Sequence, residues 1–448
     1  MSDVTAIPGR STEIARRSFL QIAGSALAAG IAAPAIAQSV VRQGVSSATD
    51  FLNSVGACVH LGFRTTPYVT NFEKVVELLK DVGIRHLRDD AIFTARTNRE
   101  YDSYQRIRRL VGEGFRFDLV CQDSINGYVF TPPRKLSDIY DWCDHGVEMF
   151  EGANEPNLIK NPVINPAISE DHQRSLYATV KGNEKLKNIP VASPSYIFKN
   201  VEIAENISDA VDYINIHPYP GMEHPETKGI GALAGFITGA ERVCGKKPVV
   251  VTETGYHTAL QTTKPHLPVS EDIKTRYFPR LLLWNYVTGV KKVYIYEFVD
   301  SWDRGLTDPE SHFGLVDFTG NTKPSFAAVK QLLALCKRPA RQVSPEQPDL
   351  KFNVTGDTRD LQTASFRRDD GTHLLFLWLG VSGWNNATRT QLAPVTRQLT
   401  LTLTPGAREI KSSLFQDDGS LSTKQLGQIA AGFEVTVSDQ LTALEITV

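Results

Sequence analysis

Between about residues 50 and 338, short β-rich runs alternate eight times with helical stretches, and this alternation limits the possible folds more than any other feature of the sequence. The helical stretches place apolar residues three or four positions apart, as in 71–82 and 276–288. Repeated βα units predict a parallel sheet covered by helices, and eight units close such a sheet into a barrel. The sequence therefore predicts an α/β fold with a (β/α)8 TIM barrel. Its strands are predicted at 55–63, 84–90, 115–123, 146–152, 189–195, 211–217, 248–253 and 290–298.

The pattern changes after Pro339. Beyond about residue 350, apolar and polar residues alternate with period two, and Asp-Gly and Pro-Gly pairs that favour turns separate the runs. This pattern predicts a C-terminal antiparallel β-sandwich at 341–448, which follows a catalytic barrel at 38–340. The clearest runs are 361–367, 373–381, 397–404 and 433–437.

Residues 1–37 are predicted to be a cleaved export signal. An apolar segment rich in Ala and Gly, at 22–37, follows Arg16-Arg17 and ends in Ala-Ile-Ala, an A-x-A cleavage pattern. Paired arginines ahead of a mildly hydrophobic segment indicate the twin-arginine route of bacterial export. The segment is shorter and less apolar than a spanning helix, which needs about 20 residues. We therefore expect a periplasmic or secreted protein with no stable membrane insertion after cleavage.

The composition argues against several classes of function. The chain carries 48 Lys and Arg against 50 Asp and Glu, a net charge of −2. It lacks the basic field with which proteins bind nucleic acid, so no such partner is expected. Five scattered cysteines do not form a disulfide framework and are predicted to be mostly small buried residues. No CxxC or HExxH motif occurs, so the sequence predicts neither a metal nor a cofactor. Lys291-Lys292, at the amino-terminal end of the last predicted strand, is predicted to be solvated.

Polar and aromatic side chains recur at the carboxyl ends of the predicted strands, where the βα loops of a barrel build its functional site. Two carboxylates stand out, because Glu155 follows the fourth strand and Glu253 ends the seventh, across the barrel mouth. Hydrolysis of a glycosidic bond needs two carboxyl groups in different ionisation states. The candidate site residues are His60, Arg88, Asp123, Asn154, Glu155, His217, Tyr219, Glu253, Tyr256, Glu297 and Trp302.

These segments resemble the retaining glycoside hydrolases of clan A. The resemblance rests on Asn154-Glu155-Pro156, on Thr252-Glu253-Thr254-Gly255, on His217-Pro218-Tyr219 and on an aromatic residue near the end of the eighth strand. It covers residues 55–335, and within the clan the sequence is most similar to the family of β-xylosidases, α-L-iduronidases and bacterial exopolysaccharide hydrolases. The resemblance implies double displacement at an equatorial β-D linkage or its α-L counterpart in an oligo- or polysaccharide.

The resemblance also implies a role for each candidate. Glu155 is then the general acid/base and Glu253 the nucleophile, with Arg88 favouring the ionised form of Glu253 and a negative neighbour raising the pKa of Glu155. Asn154 is expected to bind the sugar 2-hydroxyl, and Trp302 to offer a flat face to a sugar ring. His217 is expected beside the nucleophile, and either Tyr219 or Tyr256 donates to it. The expected hydroxyl ligands are His60, Asp123 and Glu297.

Several alternatives stay open on the sequence. Arg88 has a salt-bridge alternative with Asp89 or Asp90. His60 and His217 have an alternative as buried core histidines, Trp302 as a cover for the barrel rim, and Glu297 as a structural carboxylate. In the sandwich, Trp378 is predicted to be core and Trp384, in a Gly-Trp-Asn-Asn loop, to be open to solvent. The alternative functions are a transglycosylase using the same residues and a carbohydrate-binding barrel without activity.

Overall fold

The computed structural model describes residues 44–93, 103–124, 129–156, 167–196, 204–229, 231–264, 266–337, 349–430 and 432–448. The predicted export signal and the predicted domain boundary at residue 340 lie outside these ranges. Within them, none of the helices combines the length and the apolar character needed to cross a membrane.

Eight parallel strands form a closed barrel, which confirms the predicted fold class. A two-residue strand and a short helix, β1 (Ser46–Ser47) and α1 (Ala48–Leu52), come first. The first barrel strand pairs with both the second and the last, and isolated parallel bridges such as Ala192 to Tyr213 join the two remaining edges. The barrel strands are β2 (Val55–Cys58), β3 (His86–Asp90), β4 (Arg116–Val120), β5 (Val147–Glu151), β6 (Val191–Ala192), β7 (Ile214–Ile216), β8 (Val249–Thr254) and β9 (Lys292–Ile295).

Helices cover the outside of the barrel between these strands. One of them, at Phe72–Val82, begins one residue after the predicted start, buries Val75, Val76 and Leu79, and ends at Gly83, whose φ of 91° suits a helix C-cap. Another begins at Glu271, before the predicted residue 276, because the Ser270 hydroxyl accepts from the backbone of Ile273 and caps it. The helices after α1 are α2 (Pro67–Thr70), α3 (Phe72–Val82), α4 (Ser103–Gly112), α5 (Leu136–Trp142), α6 (Ala167–Lys181), α7 (Leu233–Cys244), α8 (Glu271–Val287) and α9 (Pro324–Lys337).

The C-terminal strands form two antiparallel sheets that enclose a separate apolar core, as the alternating pattern predicts. The six-stranded sheet has the order β1-β11-β12-β19-β16-β17 and the three-stranded sheet the order β10-β15-β18, while β13 and β14 form a small hairpin. The alternating pattern does not predict strands β16 and β17, because their exposed faces carry runs of polar residues. The strands are β10 (Lys351–Gly356), β11 (Leu361–Arg367), β12 (His373–Leu379), β13 (Trp384–Asn385), β14 (Thr390–Gln391), β15 (Arg397–Thr404), β16 (Ala407–Phe415), β17 (Leu421–Ile429), β18 (Gly432–Val437) and β19 (Thr442–Thr447).

Helix α8 joins the barrel to the sandwich through buried charges. Glu226, in the loop that follows β7, accepts from Nε and Nη2 of Arg280 on α8 and from Nε1 of Trp378 on β12, the last at 2.6 Å. Burial raises the pKa of Glu226, but the charge of Arg280 and its hydrogen bonds outweigh burial and lower the pKa to about 2. Arg276 donates to Asp439 of the sandwich at 3.0 Å. The sandwich therefore holds a loop that leaves the carboxyl end of the barrel.

Two predictions about individual side chains can be compared with this packing. Trp378 is fully buried, as predicted, whereas Trp384 is 3% exposed, so the prediction of a solvent-open Trp384 is wrong. Its ring belongs to the same apolar cluster as the barrel's outer layer. All five cysteines are buried and unpaired, in agreement with their interpretation as small core residues.

Candidate active site

Glu155 and Glu253 meet at the carboxyl end of the barrel, on either side of the His217 imidazole. Glu155 lies just beyond β5, Glu253 lies in β8, and His217 follows β7. Nδ1 of His217 is 2.8 Å from Oε1 of Glu155 and 3.6 Å from Oε2 of Glu253. One nitrogen or oxygen from each of the three side chains lies within 4.8 Å of the other two. All three residues are buried, so two carboxyl groups share one small volume largely shielded from water.

Arg88 binds Glu253 from inside the barrel, as the sequence predicts. Its Nη1 donates to Oε1 of Glu253 at 2.5 Å, and its Nη2 donates to Oδ1 of Asn154 at 2.9 Å. Its Nε and Nη2 also donate to Glu151, at 2.8 and 2.7 Å. The alternative of a salt bridge to the adjacent acids does not describe this geometry, since Asp89 accepts from backbone amides on the other side of the strand.

Tyr219, rather than Tyr256, supplies the hydroxyl that reaches the second oxygen of Glu253. The Tyr219 hydroxyl donates to Oε2 of Glu253 at 2.8 Å. Burial, and to a lesser extent the charge of Glu253, raises the pKa of Tyr219, which keeps it a proton donor. The Tyr256 hydroxyl donates instead to the backbone carbonyl of Glu223, and its ring packs against Tyr277. The structure therefore places Tyr256 in the packing behind the site.

Hydrogen bonds on its far side fix the orientation and tautomer of His217. The hydroxyl of Thr252 donates its one hydrogen to Oδ1 of Asn215 at 2.8 Å. Nε2 of His217 lies 2.9 Å from the same hydroxyl oxygen, so Nε2 must carry a hydrogen and donate it. When the ring is neutral, Nδ1 then carries no hydrogen and faces Glu155 as an acceptor. The imidazole can thus accept a hydrogen bond from protonated Glu155.

Glu155 is held by its backbone as well as by its side chain. Its φ of 44° lies in the left-handed region, which costs a residue with a Cβ about 1 to 2 kcal/mol. Its N–H donates to Oγ of Ser195 at 2.9 Å, and the N–H of Asn154 donates to Oε1 of Gln122 at 3.1 Å. Groups from the ends of two neighbouring strands therefore stabilise the strained turn that aims the Glu155 side chain into the site.

Burial is the main cause of the raised pKa of Glu155. The negative charge of Glu253 raises the pKa further, while the hydrogen bond and charge of His217, and the more distant Arg88, act in the opposite direction. From the sequence, this shift is expected to come from a negative neighbour, but that neighbour contributes less to the raised pKa than burial does. The result is a carboxyl group poised to carry a proton beside one that is bound by a guanidinium and a phenol.

His60 and Glu297 form a buried pair rather than two open hydroxyl ligands. Nε2 of His60 is 3.1 Å from Oε2 of Glu297, whose side chain is fully buried. Glu297 also accepts from the backbone and the hydroxyl of Ser301, at 3.1 and 2.7 Å. These contacts agree with the structural alternative for Glu297. The His60 ring stacks on Phe63 at a centroid distance of 4.7 Å.

The remaining two candidates lie at the edge of the site. Trp302 is partly exposed, and the guanidinium carbon of Arg304 lies 4.0 Å from its ring centroid. Its ring is also 6.2 Å from that of Phe63. Asp123 is fully buried and accepts a short hydrogen bond from the Ser169 hydroxyl. Trp302 thus presents an aromatic surface near the mouth, whereas the described contacts of Asp123 lie on the α6 side.

The structure also brings Glu151, Thr252 and Tyr296, which are not among the candidates from the sequence, to the site. Glu151 binds Arg88, Thr252 orients His217, and the Tyr296 ring lies edge-on to the Tyr219 ring at 6.2 Å. An acidic residue within an apolar barrel strand was a signal for Glu151, and an aromatic residue at the end of the last strand was one for Tyr296. Thr252 gave no signal of its own, because a threonine in a strand needs no functional explanation.

The cluster of Glu155, His217 and Glu253 has the residue types of a divalent metal site. The donors and acceptors of these three side chains are instead already paired in hydrogen bonds within the protein. Both oxygens of Glu253 receive hydrogen bonds, from Arg88 and Tyr219, and His217 shares a hydrogen with Glu155. A guanidinium beside the carboxylate also opposes a second cation. This arrangement suits proton transfer and nucleophilic attack better than metal binding.

No protein-family model matches this sequence, and no curated protein matches it at the level of sequence. Solved structures do match the fold. A family 39 glycoside hydrolase from Bacteroides cellulosilyticus WH2 is 17% identical, with a TM-score of 0.58 over 89% of this chain and 82% of its own. An α-L-arabinofuranosidase from Thermotoga maritima is 9% identical, with a TM-score of 0.55 over 88% of this chain and 96% of its own.

A family 51 α-L-arabinofuranosidase from Bifidobacterium longum gives a TM-score of 0.53 at 11% identity, over 92% of this chain and 97% of its own. Each match covers most of this chain, so it extends beyond the barrel into the C-terminal sheets. Similarity at these identities establishes the fold, which many unrelated activities share. What the chain does must therefore be argued from the side chains of the site.

Proposed function

We propose that this chain is a retaining glycoside hydrolase in which Glu253 is the nucleophile and Glu155 the general acid/base. The observation that carries the proposal is the closeness of the two carboxyl groups, whose facing oxygens lie within 4.8 Å. Retaining enzymes hold these groups about 5 Å apart, whereas inverting enzymes need roughly 6.5 to 9.5 Å to fit a water molecule between them and the sugar. The spacing supports direct attack by Glu253 on the sugar.

In the first step an oxygen of Glu253 attacks the anomeric carbon while the bond to the leaving oxygen breaks. Glu155 gives its proton to that oxygen, so the departing sugar leaves as an alcohol. Arg88 and Tyr219 hold Glu253 in its carboxylate form and aim it. The raised pKa of Glu155, caused mainly by burial, keeps a proton available for the leaving group.

In the second step water releases the sugar from Glu253. The glycosyl ester carries no charge, so the repulsion that raises the pKa of Glu155 in the resting enzyme disappears. Glu155, now ionised, removes a proton from water, which attacks the anomeric carbon as the ester bond breaks. His217 supports the protonated state of Glu155, because its Nδ1 can accept a hydrogen bond from that carboxyl group.

The substrate proposed is an oligo- or polysaccharide. The structural neighbours include a family 39 glycoside hydrolase and α-L-arabinofuranosidases, which supports the carbohydrate class. The partly exposed Trp302 supports it too, since aromatic faces stack on sugar rings. The sugar and linkage are to be found by assaying a panel of 4-nitrophenyl glycosides that includes β-D-xyloside, β-D-glucoside and α-L-arabinofuranoside, together with defined polysaccharides.

The test compares Glu253→Ala and Glu155→Ala on whichever glycoside the wild type cleaves. Glu253→Ala is expected to lose at least about 10,000-fold in kcat, because the covalent step has no nucleophile. Azide should restore Glu155→Ala with a glycosyl azide of retained configuration, and Glu253→Ala with the inverted one. Normal turnover by Glu253→Ala would refute the assignment.

The same experiment separates the alternatives. Addition of an acceptor sugar increases glycosyl transfer products if transglycosylation is the main activity of these residues. Binding of sugars by calorimetry without turnover on any member of the panel indicates a carbohydrate-binding barrel.

We also propose that the protein is exported across a bacterial inner membrane after folding. Arg16-Arg17 and the apolar segment that follows support this route. Replacement of both arginines by lysine is expected to leave precursor in the cytoplasm, as measured by fractionation and N-terminal sequencing. Unchanged export of that variant contradicts the proposal.

A further inference from the structure

Arg88 gives its best hydrogen-bonding geometry to Glu151, not to the proposed nucleophile. Nε and Nη2 contact the two oxygens of Glu151 at 2.8 and 2.7 Å, a bidentate pair. From Arg88, Glu253 receives one hydrogen bond, which Nη1 donates. Arg88 and Glu253 are 5% exposed and Glu151 is fully buried, so these charges are weakly screened by solvent. One guanidinium thus serves two buried carboxylates.

The other groups around this triad add little positive charge. Cys58 on β2 faces Arg88, and burial raises the pKa of its thiol, which keeps it neutral. Tyr294 on β9 donates its hydroxyl hydrogen to Glu148, and burial raises the pKa of Tyr294, which keeps it protonated. Near Glu253 lie Tyr219, whose pKa is also raised, and the hydrogen-bonded pair of Glu155 and His217.

Asp118 on β4 is the remaining acid that faces Glu151 and Arg88. It is fully buried, no N–H group or hydroxyl among the described residues donates to it, and its side-chain hydrogen bond with Glu151 requires Asp118 to be protonated. A carboxylate cannot stay ionised in such a place without donors. Burial, then the charge of Glu151, accordingly raises the pKa of Asp118. Asp118 is therefore a neutral neighbour, and Glu151 is the charge that competes with Glu253 for the guanidinium.

We propose that Glu151 is a positioning residue that orients Arg88 and withholds part of its charge from Glu253. The bidentate pair fixes the guanidinium plane, so Nη1 points at the nucleophile in one geometry. Because Arg88 is shared, Glu253 is ionised at neutral pH but is less stabilised than it would be if Arg88 bound no other carboxylate. A less stabilised carboxylate is a better nucleophile. This inference rests on the proposed function, because it treats Glu253 as the attacking group.

The experiment is a pH profile of Glu151→Gln. The substitution removes one negative charge near Glu253, and the positive charge of Arg88 is then no longer shared with Glu151. Both changes favour the ionised form of Glu253. The acid limb of kcat/KM, which reports ionisation of the free enzyme, is therefore expected to move down by about one pH unit, and kcat at neutral pH to fall. A purely structural role predicts a lower rate at every pH with the acid limb unmoved, and that result overturns the inference.

Two further variants guard against a trivial loss of folding. Glu151→Asp keeps the charge and is expected to keep the acid limb within about 0.3 pH units of wild type, although its shorter side chain weakens the bidentate pair. Glu148→Gln makes the same substitution in the same strand, away from Arg88, and is expected to leave the acid limb in place. A downward shift of equal size in Glu148→Gln also overturns the inference.

A readout without substrate separates this inference from the proposed function. Carbon-13 NMR of glutamate-labelled protein, with the Glu253 signal assigned by its loss in Glu253→Gln, follows ionisation of that carboxyl directly. The midpoint is expected to move down in Glu151→Gln. If that midpoint moves but Glu253→Ala keeps normal turnover, the charge sharing stands and the proposed function fails. If Glu253→Ala is inactive but the midpoint stays, the positioning role fails alone.

Discussion

The barrel interior holds an ionic cluster at each end, partly buried where the strands begin and buried where they end, and the two differ in charge balance. Where the strands begin, Glu148 is bound by His86 at 2.8 Å, by Lys292 at 3.0 Å and by the hydroxyl of Tyr294 at 3.2 Å. Burial raises the pKa of Glu148, but these partners outweigh burial and lower the pKa to about 2. One carboxylate there has a lysine and a histidine for partners.

Where the strands end, the ratio of basic partners to carboxylates is reversed. Arg88 binds both Glu151 and Glu253, and Glu155 lies close by with a raised pKa. A balanced cluster stabilises a single protonation state and holds strands together. A cluster with too few cations keeps carboxyl groups whose proton affinities respond to one another, which acid/base catalysis requires. The difference agrees with a scaffold at one end of the barrel and the proposed active site at the other.

Removal of Arg88 is expected to give the largest effect, because it leaves the carboxyl end without its guanidinium. Arg88→Gln should lower kcat/KM by about 1,000-fold and lower the melting temperature, since buried carboxylates lose their partner. Loss of a positive charge favours protonation of Glu253, so the acid limb of the pH profile should move up, opposite to Glu151→Gln. The measurement is the pH dependence of kcat/KM. An unmoved or lower limb contradicts this account.

Removal of one hydroxyl from each end is the next comparison. Tyr219→Phe deletes the donor to Glu253 and should reduce kcat by about 10- to 100-fold, the usual effect of a hydrogen bond to a charged group. Tyr294→Phe deletes the matching donor to Glu148 and should change kcat less than about twofold while lowering stability by about 1 kcal/mol. Steady-state kinetics and urea unfolding measure both. Equal kinetic effects would show that the ends are not functionally distinct.

Lys292→Met removes a cation from the Glu148 cluster where the strands begin, so its charge balance should become more like that of the cluster where the strands end. The side chain is 24% exposed, so loss of its ion pair with Glu148 is expected to lower stability by about 1 to 3 kcal/mol, less than for a fully buried pair. The proposed catalytic groups lie at the opposite end of the strands, so kcat/KM per folded molecule should stay near wild type. Urea unfolding and activity of the same sample test this. Loss of activity without loss of stability contradicts it.

The last comparison concerns the acid stability of the protein. Because the pKa of Glu148 falls from 4.5 to about 2 on folding, its contribution is present above pH 4.5 and is lost as pH falls through about 2. That contribution is on the order of 3 kcal/mol, and Glu148→Gln should remove its share of the stability change between about pH 5 and 2. Unfolding free energies measured at several pH values check this. A pH dependence equal to that of wild type counts against the charge balance.

The sequence predicted much of the fold because each unit is encoded locally. Period-two runs and 3.6-residue helices are visible within a few residues, so all eight barrel strands and four sandwich strands were located. The ends of the strands were predicted too long, since a run such as 55–63 continues past β2 into a loop that stays apolar. The domain boundary and the export signal stay predictions.

The site could be predicted only in part. Barrel topology brings strand ends together, so Glu155, Glu253, Arg88 and His217 could be expected near one another. Which side chains bind one another could be predicted less well from the sequence. Lys292, predicted to be solvated, instead binds Glu148 and His86.

The sequence by itself thus determined the order of elements and the two carboxylates, because periodicity and position along a strand are local properties. Only the tertiary structure decided that Tyr219 rather than Tyr256 reaches Glu253, that Glu297 pairs with His60, and that burial dominates the pKa of Glu155. It also revealed that Arg88 is shared, since its partners Glu151 and Glu253 lie 63 and 165 positions away in the chain. Hydrogen bonds and ionisation depend on distances of a few ångströms and on local exclusion of water. Neither can be inferred from the residues adjacent in the sequence.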